Sequence, residues 1–199
     1  MKRILLIRHG QTDWNVEGRW QGHVDVPLNE VGLEQAKALA AYLRGHAITA
    51  VYSSDLLRAH KTAEGIAAEF GLTVHDDVRL RELNLGAFQG LTTTEISAKY
   101  PSAMQAMRDD YLGYVPPNGE ARRAMQDRAY AVYREIAVNE QGPEIAMVSH
   151  GGTIRVLLLK LFGDSILHQS VHNTSISTIE TDGETQRLIE AAVTPHLIE

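Results

Sequence analysis

Two apolar, strand-like runs in this chain end in a histidine. Ile4-Leu5-Leu6-Ile7 passes directly into Arg8-His9-Gly10, and far downstream Ile145-Ala146-Met147-Val148-Ser149 passes into His150-Gly151-Gly152. In an open parallel sheet, crevices form outside the carboxyl ends of the strands, so a residue placed just after a strand is aimed at a ligand. Two such ends carrying imidazoles point to one site assembled from distant parts of the chain. The residue types there suit nucleophilic and acid-base work.

The sequence between them alternates strand and helix signals. Thr12 to Leu28 is polar and reads as a loop, after which Asn29 caps a helix carrying Leu33, Ala36, Leu39, Ala40 and Leu43 at helical spacing. Thr49-Ala50-Val51-Tyr52 reads as a strand, followed by a helix from about Leu56 to Phe70 that stops at Gly71 and holds Arg58 in its first turn. Leu72-Thr73-Val74 reads as a third strand, and Thr92 to Tyr114 as irregular helical material closed by Pro116-Pro117. A long helix is expected from about Glu120 to Asn139, then the Ile145 strand and a helix through Leu161. Two strands, around Ser175 to Thr181 and Gln186 to Val193, join at Asp182-Gly183. This alternation implies one three-layer α/β/α domain over residues 1–199, with a mostly parallel sheet and a small helical cap insertion at about residues 91–123.

At 199 residues the chain suffices for one domain with a sizeable core and is too short for two large ones. A net charge of -6 argues against nucleic acid or an anionic membrane as partner, while leaving room for a local basic pocket. The absence of cysteine removes disulfides, thiolate zinc sites and cysteine nucleophiles together. The apolar N-terminal stretch meets Arg8 too soon for a signal peptide or a membrane span, so the cytoplasm is the default location.

Arg8-His9-Gly10-Gln11-Thr12 with Asn15, then Ser53-Ser54-Asp55-Leu56-Leu57-Arg58-Ala59, then Arg81-Glu82 with Gly86 and Gly90, then Ser149-His150-Gly151-Gly152 form an ordered set, to which Pro27-Leu28 with Gly32 and Gln35-Ala36 adds a fifth block. In this set the chain resembles the histidine phosphatase superfamily, which includes the cofactor-dependent phosphoglycerate mutases. The tail Thr194-Pro195-His196-Leu197 looks similar as well. The resemblance implies that His9 is the phosphoryl-accepting nucleophile, that Glu82 is the proton donor, and that Arg8, Asn15, Arg58 and His150 form the phosphate pocket. Gln21 matches a position where phosphatase members carry a pocket residue. The stretch Arg81-Glu82-Leu83-Asn84-Leu85-Gly86-Ala87-Phe88-Gln89-Gly90 looks like the phosphatase pattern, whereas mutase members carry a basic-aromatic stretch after this glutamate and a longer cap and tail. A phosphatase acting on small phosphomonoesters is therefore preferred. The alternatives are a cofactor-dependent phosphoglycerate mutase and a catalytically silent phospholigand-binding module. The presence of nucleophile, acid and both arginines opposes the last of these. One departure is Ala121 after Gly119-Glu120, where many relatives have serine; it bears on substrate-side contacts.

Elementary chemistry supports these roles. A phosphoryl group in transfer spreads negative charge over its equatorial oxygens, and Arg8 and Arg58 offer planar, multi-donor partners for it. An imidazole attacks only through an unprotonated nitrogen, so the other nitrogen of His9 must be held, for which a backbone carbonyl in the Gly10 to Thr12 turn is suited. The leaving alcohol needs a proton, which a carboxylic acid at Glu82 supplies before activating water. A protonated His150 adds positive charge, and Gly151 can bring a backbone N–H to a phosphate oxygen at a helix start.

Other residues carry weaker signals. Arg122 and Arg123 stand where they reach a substrate carboxylate or second phosphate from beneath the cap, or form a solvated pair. Arg79 and Arg81 are expected on the surface, as are His23, His46, His60 and His75, which have no motif context. His168 and His172 have the spacing of a helical metal pair but no third ligand, so neither metal nor cofactor is expected. Leu91, Met104, Met107, Tyr111 and Tyr114 suit either a tolerant pocket or the packing of the cap itself. His196 either closes over the site or is exposed in the tail. The expected partner is a small phosphorylated metabolite. A homodimer through Phe162, Leu167 or the final strand is left open.

Overall fold

The computed structural model describes residues 1–164 and 169–197; Leu167 and His168 lie outside them. Six strands form one sheet: β1 (Lys2–Arg8), β2 (Ile48–Ser53), β3 (Val74–Asp76), β4 (Glu144–Ser149), β5 (Ile176–Thr181) and β6 (Gln186–Val193), in the spatial order β3-β2-β4-β1-β5-β6. The first four are mutually parallel, and the chain then turns back through antiparallel β5 and β6. Mostly parallel pairing requires crossovers, and helices supply them on both faces.

On one face α2 (Glu30–Leu43) and α3 (Leu57–Phe70) pack Leu39, Leu43, Ala63 and Ile66 against Leu5, Ile7, Val51, Ala146 and Val148. On the other, α6 (Arg122–Asn139) and α7 (Gly151–Phe162) pack Val132, Tyr133, Ile136, Ile154 and Leu158 against Ile4, Leu6, Ala50, Ile145 and Met147. Successive residues of β1 thus alternate between two cores, as the period of two along a strand demands. Phe162, considered above for subunit pairing, packs against the second core.

The short helices α4 (Thr93–Lys99) and α5 (Ala103–Asp109) form a third cluster with the segment after Glu82, burying Leu83, Leu85, Phe88, Ile96, Met107 and Met125. Leu91, Met104, Tyr111 and Tyr114 pack here too, so the apolar residues considered for a tolerant pocket serve the packing of the cap. A four-residue helix, α1 (Asp13–Val16), interrupts the segment read as loop; Thr12 caps it, and Asn15 returns the bond to complete a capping box. Ala121 is the N-cap of α6, and without a hydroxyl it gives the helix no side-chain cap.

Candidate active site

The carboxyl ends of β1 and β4 lie side by side, with Arg8 registered on Ser149 and the His9 N–H donating to the Ser149 carbonyl at 3.0 Å. Chain from β1 crosses to the β2 side of the sheet and chain from β4 to the β5 side, so a crevice opens between the two ends. The imidazoles that follow are brought to 5.1 Å between ring centroids. Gly10 is needed there because a Cβ would meet the Gly32 carbonyl at 2.6 Å, where the start of α2 presses on the turn.

His9 Nδ1 lies 2.6 Å from the Gly10 carbonyl oxygen, which only accepts, so Nδ1 carries the hydrogen and Nε2 keeps its lone pair. Burial, then the charges of Arg58 and Arg8, hold this ring well below the ordinary imidazole range. His150 is fully buried; its Nε2 sits 2.8 Å from Ser54 Oγ, and its Nδ1 has no protein partner. Burial, with Arg58, His9 and Arg8, depresses its pKa as well, so in the field of the protein's own charges His150 is neutral. The positive charge expected of it above is thus opposed by burial and by the neighbouring cations.

Arg58, 1% exposed, donates from Nη1 to the Val24 carbonyl at 2.9 Å and from Nη2 to the Gly22 carbonyl at 2.8 Å. Burial lowers it to about 10, which leaves it cationic at neutral pH. Arg8 Nη1 donates to the Val171 carbonyl at 2.7 Å, and burial lowers its pKa too. Each guanidinium retains a buried Nε–H with no protein acceptor. Carbonyl partners fix these side chains without cancelling their charge.

Glu82 enters from the segment before the cap. Its Oε1 accepts from the Leu83 N–H at 2.8 Å and lies 3.5 Å from the Thr153 hydroxyl, and its Oε2 accepts from the Gly152 N–H at 2.9 Å, leaving a lone pair on Oε2. A Cβ on Gly152 would stand 2.4 Å from Oε1, so only glycine admits the carboxylate here. The Gly151 N–H opens α7, whose N-cap His150 offers no side-chain cap. Arg128 donates to the carbonyls of Arg79, Arg81 and Glu82 at 2.6–2.8 Å and to the Glu120 carboxylate at 2.7 Å, clamping the backbone around Glu82. Asn15 Oδ1 is occupied by Thr12 and Asn173, and Gln21 Nε2 donates to Thr12 Oγ1 at 2.8 Å.

A cavity of about 250 Å³ brings Arg8, His9, Asn15, Gln21, Arg58 and Glu82 together, with Arg122 and Gly152 also in its wall. His150 backs His9 from beneath, and Gly151 lines an adjoining cavity. Arg123 is left out, exposed to solvent on α6. The apolar walls are Trp20, Leu83, Leu85 and Met125, none of which the sequence singled out. Arg79 and Arg81 are engaged elsewhere, with Asp77 and Glu135 and with Asp55. Among the surface-expected histidines, His46 meets Glu144 and His60 meets Asp76, but His23 donates toward the Glu82 carbonyl at 2.8 Å. His196 holds Thr174 Oγ1 rather than lining the cavity. Among the described residues no three His, Asp or Glu side chains converge to hold a metal ion, and no helix is long and apolar enough to cross a membrane.

The family model of the histidine phosphatase superfamily (branch 1) matches residues 4–194. Phosphoglycerate mutase-like protein 4 of Arabidopsis thaliana is 38% identical over 185 residues, which is 91% of this chain and 80% of the relative. Glucosyl-3-phosphoglycerate phosphatase of Mycobacterium tuberculosis is 40% identical over 173 residues, covering 80% of this chain and 76% of the relative. The solved structure of mycobacterial glucosyl-3-phosphoglycerate phosphatase with VO3 superposes with a TM-score of 0.86 at 35% identity, over 94% of this chain and 97% of that one. The chain belongs to the histidine phosphatase superfamily, branch 1, and is a phosphomonoester hydrolase of that branch with the three-layer α/β/α fold.

Proposed function

We propose that this hydrolase works on a small phosphorylated metabolite in two steps through phosphorylated His9. In the first step Nε2 attacks phosphorus, the P–N bond forms as the ester P–O bond breaks, and Glu82 gives its proton to the leaving alkoxide. In the second, water attacks phosphorus, its proton passes to the Glu82 carboxylate, and the P–N bond breaks to return neutral His9 and phosphate. Arg8 and Arg58 direct their unpartnered Nε–H groups at the phosphoryl oxygens, with Asn15, Gln21, His150 and the Gly151 N–H completing the pocket. The segment at about residues 91–123 acts as a cap on the single unit formed by residues 1–199.

The observation that carries this reading is the 2.6 Å contact of His9 Nδ1 with the Gly10 carbonyl, which fixes the tautomer and leaves Nε2 unprotonated beside two arginines. Acid-free quenching of a reaction with a radiolabelled phosphomonoester is expected to trap an alkali-stable, acid-labile phosphoprotein. His9→Ala is expected to lose both the adduct and at least about three orders of magnitude in turnover. Near-normal turnover in that variant refutes the assignment.

A further inference from the structure

The turn that leads into β5 carries a strained residue. Thr174 is fully buried and β-branched, yet it stands at φ 56°, the left-handed region that suits glycine. It lies in the turn at residues 172–175, which the Ser175 N–H closes on the His172 carbonyl at 3.1 Å. A conformation of this kind persists only where surrounding contacts over-determine it. The Thr174 N–H donates to the Arg8 carbonyl at 3.0 Å, and the Thr174 hydroxyl donates to the Asn173 carbonyl at 2.7 Å. With that hydroxyl hydrogen committed, His196 Nε2–H donates to Thr174 Oγ1 at 2.9 Å and ties the turn to the C-terminal segment.

The strained turn presents the side chain of Asn173 to the start of the catalytic loop. Asn173 Nδ2 lies 3.0 Å from the His9 carbonyl and 3.2 Å from Asn15 Oδ1, so each of its two hydrogens meets an acceptor. The Thr12 N–H, which can only donate, stands 3.1 Å from the same atom of Asn15 and identifies it as the oxygen. Held from both sides at Oδ1, the Asn15 amide is left with its Nδ2 end for the cavity that contains His9, whose wall Asn15 shares. That end donates, as a phosphoryl oxygen requires, whereas an amide oxygen there would repel it. The segment holds Arg8 as well, through the Val171 carbonyl on Nη1 and the Ser175 carbonyl on the Arg8 N–H at 3.1 Å. One turn thus sets the nucleophile, a pocket arginine and a pocket amide in a common frame.

We infer that Asn173 is a positioning residue for phosphoryl transfer: its amide ties the backbone of His9 to Asn15 and holds the Asn15 N–H groups toward the phosphoryl group. This rests on the phosphohydrolase reading of the same site, so the test separates binding from turnover. Inorganic phosphate is titrated calorimetrically into the wild-type chain, Asn173→Leu, Asn15→Ala and the double variant. Asn173→Leu keeps a side chain of similar size and removes both donors. It is expected to weaken phosphate binding at least about fivefold in the wild-type background and less than about twofold in Asn15→Ala, where the amide it orients is gone. A merely structural role gives the same loss in both backgrounds. Asn173→Ser keeps a turn-forming residue beside Thr174 but cannot span both acceptors, so it is expected to lose phosphate affinity in the same pattern, and it decides the matter if Asn173→Leu fails to fold. Equal losses in the two backgrounds, wild-type affinity in Asn173→Ser, or no phosphate binding by the wild type overturns the inference. Release of nitrophenol from nitrophenyl phosphate by the wild type reports separately on hydrolysis. Coupled losses without turnover would sink the catalytic reading and leave the positioning role standing, whereas turnover with additive losses would sink the positioning role alone.

Discussion

Anion binding at this site should take up a proton, and His150 should be the group that takes it. Burial and the neighbouring charges of Arg58, His9, Arg8 and Arg128 keep His150 neutral, while its buried Nδ1 has no acceptor or donor opposite it. His9 is a poorer recipient, because Nδ1–H is committed to the Gly10 carbonyl and Nε2 is the atom that attacks phosphorus in the mechanism proposed above. Sulfate remains dianionic across the neutral range and so isolates the titration of the protein. One charge pair at about 4 Å and an effective dielectric of about 20 is worth roughly 4 kcal/mol, or about 3 pK units, and it acts against the burial and like charges that depress His150. The affinity for sulfate should then weaken as pH rises, by up to about tenfold per pH unit, the limit for one linked proton. Calorimetry at constant ionic strength in buffers of different ionisation enthalpy measures both that slope and the proton count. In His150→Gln the slope should vanish. Affinity independent of pH, heat independent of buffer, or a slope that survives in His150→Gln refutes the reasoning.

The same depressed imidazoles make stability sensitive to acid. Folded-state values below the unfolded value mean that the unfolded chain binds protons first. The contribution is therefore complete above about pH 6.5 and drains as pH falls, so denaturant midpoints should show a loss of about 2 kcal/mol between pH 7 and 5.5 without added anion; unchanged midpoints would contradict the assignment. Glu82→Gln should slow alkyl phosphates at least about a hundredfold more than nitrophenyl phosphate, whose leaving group needs no proton, and equal losses would count against proton donation. Ala121→Ser should supply the missing N-cap of α6 and raise the melting temperature by about 2–4 °C, for about 1 kcal/mol; no rise would mean that the hydroxyl does not reach the N–H groups of the first turn.

What the sequence conveyed depended on whether the signal was local. Gly71 ends α3 in the left-handed conformation at φ 63°, a stop readable from one residue. The strand expected at Leu72 begins only at Val74, because the Leu72 N–H is spent closing α3 on the Ala67 carbonyl at 2.9 Å before the chain reaches β2. Helix α1 escaped notice because it is one turn long and buries no residue, so no periodicity marks it. The strand-end histidines were visible because each follows an apolar run, but the Arg128 clamp on Glu82 was not, since its carbonyl acceptors lie 46 to 49 positions away and leave no trace in side-chain identity.

That difference is sharpest among the arginines, which look alike in sequence and fall into two electrostatic kinds in the fold. Arg44, Arg79 and Arg81 lie against carboxylates at 2.5–2.7 Å, partners 25, 56 and 26 residues distant, and their charge is cancelled where it stands. Arg8 and Arg58 are held just as firmly, but by carbonyls of Val171, Val24 and Gly22. A carbonyl satisfies a donor without neutralising a cation, so these positions keep their geometry and their field together. Burial depresses both guanidiniums, a cost that the fold carries in the protein alone and that a bound phosphoryl group relieves. In the mechanism proposed above, the phosphoryl group in transfer spreads its charge over its equatorial oxygens, and Arg8 and Arg58 would meet that charge with a field that no carboxylate has cancelled.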